Sequence, residues 1–312
     1  MTDSRIYTSL EHLRHFKEQA QGISFLPRQP ASSVLSGRRA SRLRGRGLNF
    51  EEMRHYLPGD DIRSIDWKAT ARTGKAHVRV FTEERDRPAL LVVDQRMSMF
   101  FGSQLNLKSV TAAEAAAIAA FRVLGAGDRV GGITFNDEQH IEFAPRRSDR
   151  TVMALLTAIS AMNQSLHAQK PVPEQRLQLN SVLKGVARLA SHDHLVMIFS
   201  DFDGIDDRTR QQLGALSQHN DVVLMLVHDP LAQRIHSHES TIVGTDLLQA
   251  QVDLATPRVR DAVRDTTSQR LTSIYDLQKR VNLSVLPLSA GEDTLTQIRR
   301  LTGQFAPQQR YR

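Results

Sequence analysis

Two acids close apolar runs in this 312-residue chain, and they are the first candidates for chemistry. ALLVVD (89–94) ends in Asp94, and HLVMIFSD (194–201) ends in Asp201. VVDQRMSMFFG places Ser98 four residues after Asp94, and Ser181 opens a helical stretch ahead of the second acid. Hard divalent cations take oxygen ligands from carboxylates, hydroxyls and waters, so carboxylates and hydroxyls on neighbouring loops suit Mg²⁺. The alternative is that Asp94 and Asp201 cap helices and satisfy loop amides.

A second cluster lies upstream, in GDDIRSIDWKATAR (59–72). Asp60 and Asp61 follow a Pro58-Gly59 turn, Asp66 precedes Trp67, and Arg72 closes the run. These charges are too many and too close to act as one acid/base pair. Pairing of Asp60, Asp61 and Asp66 with Arg54, Arg63 and Arg72 is the preferred reading. Such a network would hold a small module against a larger domain, with Trp67 as a buried apolar anchor.

Other chemistries find no support in the motifs. There is no Gly-x-x-x-x-Gly-Lys-Ser/Thr loop, no Gly-x-Gly-x-x-Gly after a strand and no Gly-x-Ser-x-Gly elbow. The twelve His are scattered. HSH (236–238) and HDH (192–194) have neighbours that point in different directions, which favours surface loops over a metal site.

The acids need elements to position them. From residue 88 onward apolar strands alternate with helical patterns. Strands are expected at 89–94, 128–137, 140–145, 194–201, 222–229 and 282–288. Helices are expected at 105–124, 149–162, 179–191, 207–218, about 258–280 and 292–301. This alternation predicts an α/β fold with a mostly parallel, doubly wound sheet covered on both faces. Ligands of such sheets bind outside the carboxyl ends of the strands, where Asp94 and Asp201 fall. Residues 9–20 read as a short amphipathic helix, and residues 47–88 as a small irregular module with a strand at 77–81.

Composition sets the outer limits. The chain has no Cys, which excludes disulfides, zinc–thiolate sites and thiol catalysis and fits a reducing, cytoplasmic setting. The N-terminal residues lack the apolar core of a signal peptide, and no run approaches the ~20 apolar residues needed to cross a bilayer. Net charge is +7, and Arg38, Arg39, Arg42, Arg44 and Arg46 crowd into nine positions. That run is a solvated connector paired to downstream acids, or a contact for anionic membrane or nucleic acid. No aromatics interleave with it, which argues against nucleic acid.

Residues 45–102 resemble a known family. Gly45, Gly47, Phe50, Arg54, Tyr56, Gly59, Asp60, Asp61, Arg63, Ile65, Asp66, Trp67, Ala71 and Arg72 fill the signature of the bacterial domain-of-unknown-function family fifty-eight, and LLVVDQRMSMFFG follows. The resemblance implies three regions. These are an N-terminal helix and linker (1–36), a basic and acidic signature module (37–87) and a von Willebrand factor A-like domain (88–305). It implies action with a MoxR-type AAA+ ATPase in assembly or activation of client proteins. It also implies a metal-ion-dependent adhesion site, Asp-x-Ser-x-Ser with a later Thr and Asp. Here Arg96 stands where the first Ser belongs, Ser181 falls where the Thr is expected, and Asp201 matches the last acid. A guanidinium beside Asp94 or Asp201 would take the cation's place.

The expectation is a non-enzymatic, protein-binding adaptor with a degenerate metal site at Asp94, Ser98, Ser181 and Asp201. The alternatives are a metal-dependent hydrolase, and anionic-membrane or nucleic-acid binding through Arg38–Arg46.

Overall fold

A computed structural model describes residues 3–21, 23, 48–83, 87–168, 177–231, 240–245, 248–253, 272–281 and 283–302. The Arg38–Arg46 run, the first two signature glycines, the HSH triplet and the first part of the expected helix at 258–280 lie outside these residues. The chain divides into two compact units, Met1–Pro27 with Arg87–Arg312, and Arg28–Asp86.

In the larger unit the expected alternation appears. Helix α1 (Leu10–Gln19) comes first. After the smaller unit, β3 (Ala89–Asp94), α3 (Lys108–Gly125), β4 (Val130–Phe135), β5 (His140–Arg146), α4 (Asp149–Gln164), α5 (Leu179–Leu189) and β6 (Leu195–Ser200) follow. Then come α6 (Asp207–Ser217), β7 (Asp221–His228), a hairpin of β8 (Ser240–Thr245) and β9 (Leu248–Asp253), helix α7 (272–280), β10 (Leu283–Ser289) and α8 (Thr294–Leu301). The sequence pattern did not mark the hairpin.

Six strands form one sheet in the order β10-β7-β6-β3-β4-β5, all parallel except β5. The central strands β3 and β6 are buried at every position, as expected of strands covered on both faces. Their side chains alternate between two cores. Ala89, Leu91 and Val93 meet α1, α3, α4 and α8, while Leu90 and Val92 meet α5, α6 and α7. The prolines of the sheet, Pro145 on β5 and Pro287 on β10, sit on the two outermost strands, where a missing donor is tolerated. Helix α3 is Ala-rich because it is buried nearly all round, between the sheet and α1, α4 and α8. Gly132 lets α4 approach β4 closely, since a Cβ there would stand 2.9 Å from Leu155 Cδ2.

The sequence reading set residues 1–36 apart as helix and linker, but α1 is part of the larger unit's core. Leu13, Phe16, Ala20 and Ile23 are buried in it. The residues before α1 are also tied down. The Thr8 N–H donates to Asn163 Oδ1 at 2.8 Å, and the Thr8 carbonyl accepts from Ser160 Oγ at 3.0 Å and Gln164 Nε2 at 3.1 Å.

The smaller unit is built on an antiparallel pair, β1 (Leu48–His55) and β2 (His77–Glu83), joined by a 3-10 turn at Ile62–Ser64 and helix α2 (Trp67–Thr73). Among the described residues no helix is long and apolar enough to cross a membrane.

Candidate functional site at the sheet edge

Strand β3 runs to β4 on one side, while β6 joins it on the other. The strand order therefore reverses between β3 and β6, and a crevice opens at their carboxyl ends. Asp94 and the pair Ser200-Asp201 are carried there by two central strands buried at every position.

The two strand ends are cross-stitched. Ser200 Oγ, from β6, donates to Asp94 Oδ2 at 2.6 Å, and Ser98 Oγ, after β3, donates to Asp201 Oδ1 at 3.3 Å. Beyond Ser200 the chain turns sharply. Phe202, fully buried, has φ +54, a left-handed conformation that costs a non-glycine residue about 1–3 kcal/mol. The turn is held by Phe202 N–H to Ser200 Oγ at 2.9 Å and by Asp203 N–H to Asp201 Oδ1 at 3.0 Å.

Each acid also faces a cation. Arg96 curls back on Asp94: Nε reaches both carboxylate oxygens at 3.0 and 3.1 Å, and Nη2 reaches Oδ2 at 2.7 Å. The Arg96 N–H donates to Oδ1 as well, at 2.9 Å. Nη2 extends to the Asp203 carbonyl at 3.2 Å, and the guanidinium lies 5.6 Å from the Phe135 ring centre. Burial works against the Arg96 charge, but Asp94, with Asp201 and Asp203 further off, holds its pKa above the usual arginine value. The second cation is Lys108, whose Nζ donates to Asp201 Oδ2 at 2.6 Å. Asp94 is 0% exposed and Asp201 3%, so both pairs are shielded from water and salt.

Sequence reasoning found Arg96 and missed Lys108. A signal was present, because a Lys on the first turn of a helix opposes the helix dipole and needs a reason to be there. Gln95 was also missed. It is fully buried, donates to the Ser109 carbonyl at 3.0 Å and accepts from Asn163 Nδ2 at 3.0 Å, tying the Asp94 loop to α3 and α4. Ser181 does not join the cluster as expected. It is exposed on α5, while its neighbour Asn180 is bound to Asp206 and accepts from Thr209 Oγ1 at 2.6 Å, linking α5 to α6.

The fit to a divalent cation follows from these contacts. A metal on Asp94 would have to displace a guanidinium from both oxygens, and a metal on Asp201 would have to displace Lys108. Among the described residues no group of three His, Cys, Asp or Glu stands where it could hold a metal. The donor set is that of two closed ion pairs and does not fit Mg²⁺. Above it a small cavity of about 60 Å³ is rimmed by Arg96, Ser98, Asp137, Gln178 and Asp203, room for the end of one polar side chain. Asp137 helps shape it by accepting the Met97 N–H at 2.6 Å.

In the smaller unit the signature residues are arranged differently from the expected network. Arg54 does pair with Asp60, at 2.7 and 2.8 Å, and Asp60 also accepts the Leu57 N–H at 2.8 Å. Asp61 accepts the backbone N–H of Arg63 at 2.9 Å, capping the 3-10 turn. Asp66 accepts from Lys68 and Ala69 N–H, both at 3.0 Å, as the N-cap of α2. A short aspartate side chain reaches the next backbone donors more readily than a distant guanidinium. Tyr56 takes part through its backbone, its N–H donating to the Ala76 carbonyl at 2.9 Å. Arg63 and Arg72 are exposed. Trp67 is not a buried anchor. It is 69% exposed, because α2 buries its opposite face through Ala69.

Comparison with known proteins places these features. The family model described as "Protein of unknown function DUF58" matches residues 52–273. "Uncharacterized protein Rv1480" of Mycobacterium tuberculosis and "Uncharacterized protein Mb1516" of Mycobacterium bovis are each 30% identical over 203 residues, 65% of this chain. The chain spans about 62% of the length of these relatives. Among solved structures, proximal thread matrix protein 1 from the mussel byssus matches at a TM-score of 0.32 with 10% identity, over 58% of this chain and 46% of that one. A second crystal form gives 0.31 and 12%, over 72% of each.

Proposed function

The chain belongs to the DUF58 family of proteins of unknown function, and we propose that it is a non-enzymatic, protein-binding adaptor that works without a metal. The observation that carries this reading is the reciprocal closure of the sheet edge. Asp94 and Asp201 are each bound to a cation and to a hydroxyl from the opposite strand. A general base must be able to take a proton in reach of substrate. Both acids are instead committed to holding the crevice in one shape. The small cavity at the surface is rimmed by Ser98, Asp137, Gln178 and Asp203, carried by the segments after β3, β4 and β6 and by the start of α5. Such a rim suits recognition of a partner's polar side chain.

The partner is a MoxR-type AAA+ ATPase or its client, and the setting is the cytoplasm. The larger unit then acts as a von Willebrand factor A-like domain whose adhesion site is degenerate, with Arg96 in place of the metal. A metal-dependent hydrolase is the weaker alternative, since the cation positions are taken by Arg96 and Lys108.

Site-directed photocrosslinking tests the reading. A photoreactive residue at Gln178, on the rim, should capture the ATPase encoded in the same genome, with and without ATP and Mg²⁺ compared. The same residue at His192, ahead of β6 and so at the amino edge, should not. Capture only from His192, or from neither position, would sink the proposal.

A further inference from the structure

The cations of the smaller unit fall in two places. Residues 28–46 hold six Arg and no acid, and residues 54–75 hold five Arg and Lys against three Asp. Those acids are turned onto their own unit. Asp60 holds Arg54, Asp61 caps the 3-10 turn and Asp66 caps α2. The cations Arg63, Lys68, Arg72 and Lys75 are exposed and form no ion pair among the described residues. In residues 54–75 Asp60, Asp61 and Asp66 each hold a group of their own unit, while four of the five cations face solvent.

The same stretch exposes apolar side chains. Leu57 is 58% exposed, Ile62 65% and Trp67 69%. On α2 the helical repeat puts Trp67 and Ala71 opposite buried Ala69, with Lys68 at the flank, and Arg72, near the helix end, is exposed as well. An indole flanked by cations, with an aliphatic side chain projecting from the preceding turn, matches a boundary that is apolar on one side and anionic on the other.

We propose that this face docks peripherally on an anionic bilayer surface. Trp67 and Ile62 enter the headgroup layer, and Arg63, Lys68, Arg72 and Lys75 meet the lipid phosphates. Nucleic acid would use the cations but leave Leu57 and Ile62 without a role. Projecting aliphatics need a shaped receptor in a protein partner, whereas a fluid headgroup layer accepts them as they stand. The contact is thereby placed on the Trp67 face and not on the Arg38–Arg46 run. It is independent of the reading of the sheet edge.

Trp67 is the only tryptophan of the chain, so intrinsic fluorescence reports on this face alone. The full chain should show the emission of a water-exposed indole. Vesicles of phosphatidylcholine mixed with phosphatidylglycerol should shift it to the blue, and added salt should reverse the shift. Phosphatidylcholine alone should leave it unchanged. In vesicle co-sedimentation, K68Q R72Q should bind about 30-fold more weakly, as expected for two neutralised surface cations. Trp67→Ala should also lose binding. These side chains are exposed, and circular dichroism confirms that the variants fold. No blue shift with the anionic vesicles would overturn the proposal. So would equal shifts with both vesicle types, quenching by single-stranded DNA with no response to lipid, or undiminished co-sedimentation of both variants.

Discussion

Lys108 Nζ lies 2.6 Å from Asp201 Oδ2, on the first turn of α3, where the helix dipole disfavours a cation. The pairing with Asp201 outweighs that cost. With Arg96 on Asp94, it leaves both strand-end acids with a buried counter-charge supplied by the chain itself.

The first consequence concerns metal affinity. Isothermal titration of Mg²⁺ into the unmodified protein should give no sub-millimolar binding. Arg96→Ser frees Asp94 alone and supplies one oxygen, while Lys108 still occupies Asp201. R96S K108M should therefore bind Mg²⁺ more tightly than either single variant. Equal affinity in the unmodified protein and the double variant would show that the two cations are not the metal's substitutes.

Removing one member of a buried pair should be costly. Arg96→Met leaves Asp94 shielded from water with its charge uncompensated, so the fold should lose about 3–5 kcal/mol. Ser98→Ala removes only a 3.3 Å hydrogen bond at a half-buried hydroxyl and should cost about 1 kcal/mol or less. Urea unfolding of the two variants measures the contrast. Similar losses would mean that the Asp94–Arg96 pair is not specially shielded.

Attachment of α1 should depend on pH. His12 Nε2 lies 2.7 Å from Glu114 Oε1, and Glu114 is also held by Thr294 and Asn106. The hydrogen bond to Glu114 raises the His12 pKa above its ordinary 6.5, against the opposing effect of burial. A raised folded pKa means the contribution is fully present below about pH 6.5 and is lost as pH climbs through the folded value. Melting temperatures across pH 5 to 9 should fall more steeply on the alkaline side for the unmodified protein than for His12→Gln. Parallel curves would refute the linkage.

In the smaller unit, Asp66→Ala removes the N-cap of α2 and should destabilise that unit by about 1–2 kcal/mol. Asp66→Asn, which can still accept the Lys68 and Ala69 N–H groups, should recover most of the loss. Hydrogen exchange at Lys68 and Ala69 reads the difference locally. Unchanged protection in the alanine variant would mean that α2 does not depend on its cap.

The sheet was legible because its central strands are continuous apolar runs of strand length and its helices repeat at helical spacing. Asp94, Arg96, Ser98 and Asp201 were legible because strand order alone brings the ends of β3 and β6 together. Lys108 was not, since the residue that meets Asp201 comes from a third element, and its approach depends on how α3 docks. Ser181, exposed on α5, was misjudged because a helix start predicts a turn and not which of its side chains faces inward. Trp67 was misread because composition says that indoles are usually buried, whereas only the packed face of α2 decides which side chains are covered. The place of α1 escaped for a related reason. An amphipathic stripe declares that it needs a partner without saying which helices supply it.

The interrupted larger unit has a consequence for synthesis on the ribosome. Helix α1 emerges long before α3 and α4, against which it packs through the core that holds Leu13 and Phe16. Between them the whole smaller unit is translated, tethered at both ends and with its own strand pair to close. The order of emergence therefore differs from the order in which surfaces can be buried. The nascent chain carries an uncovered apolar stripe on α1 until α3 and α4 have been made, and the smaller unit is the first part able to complete its own contacts.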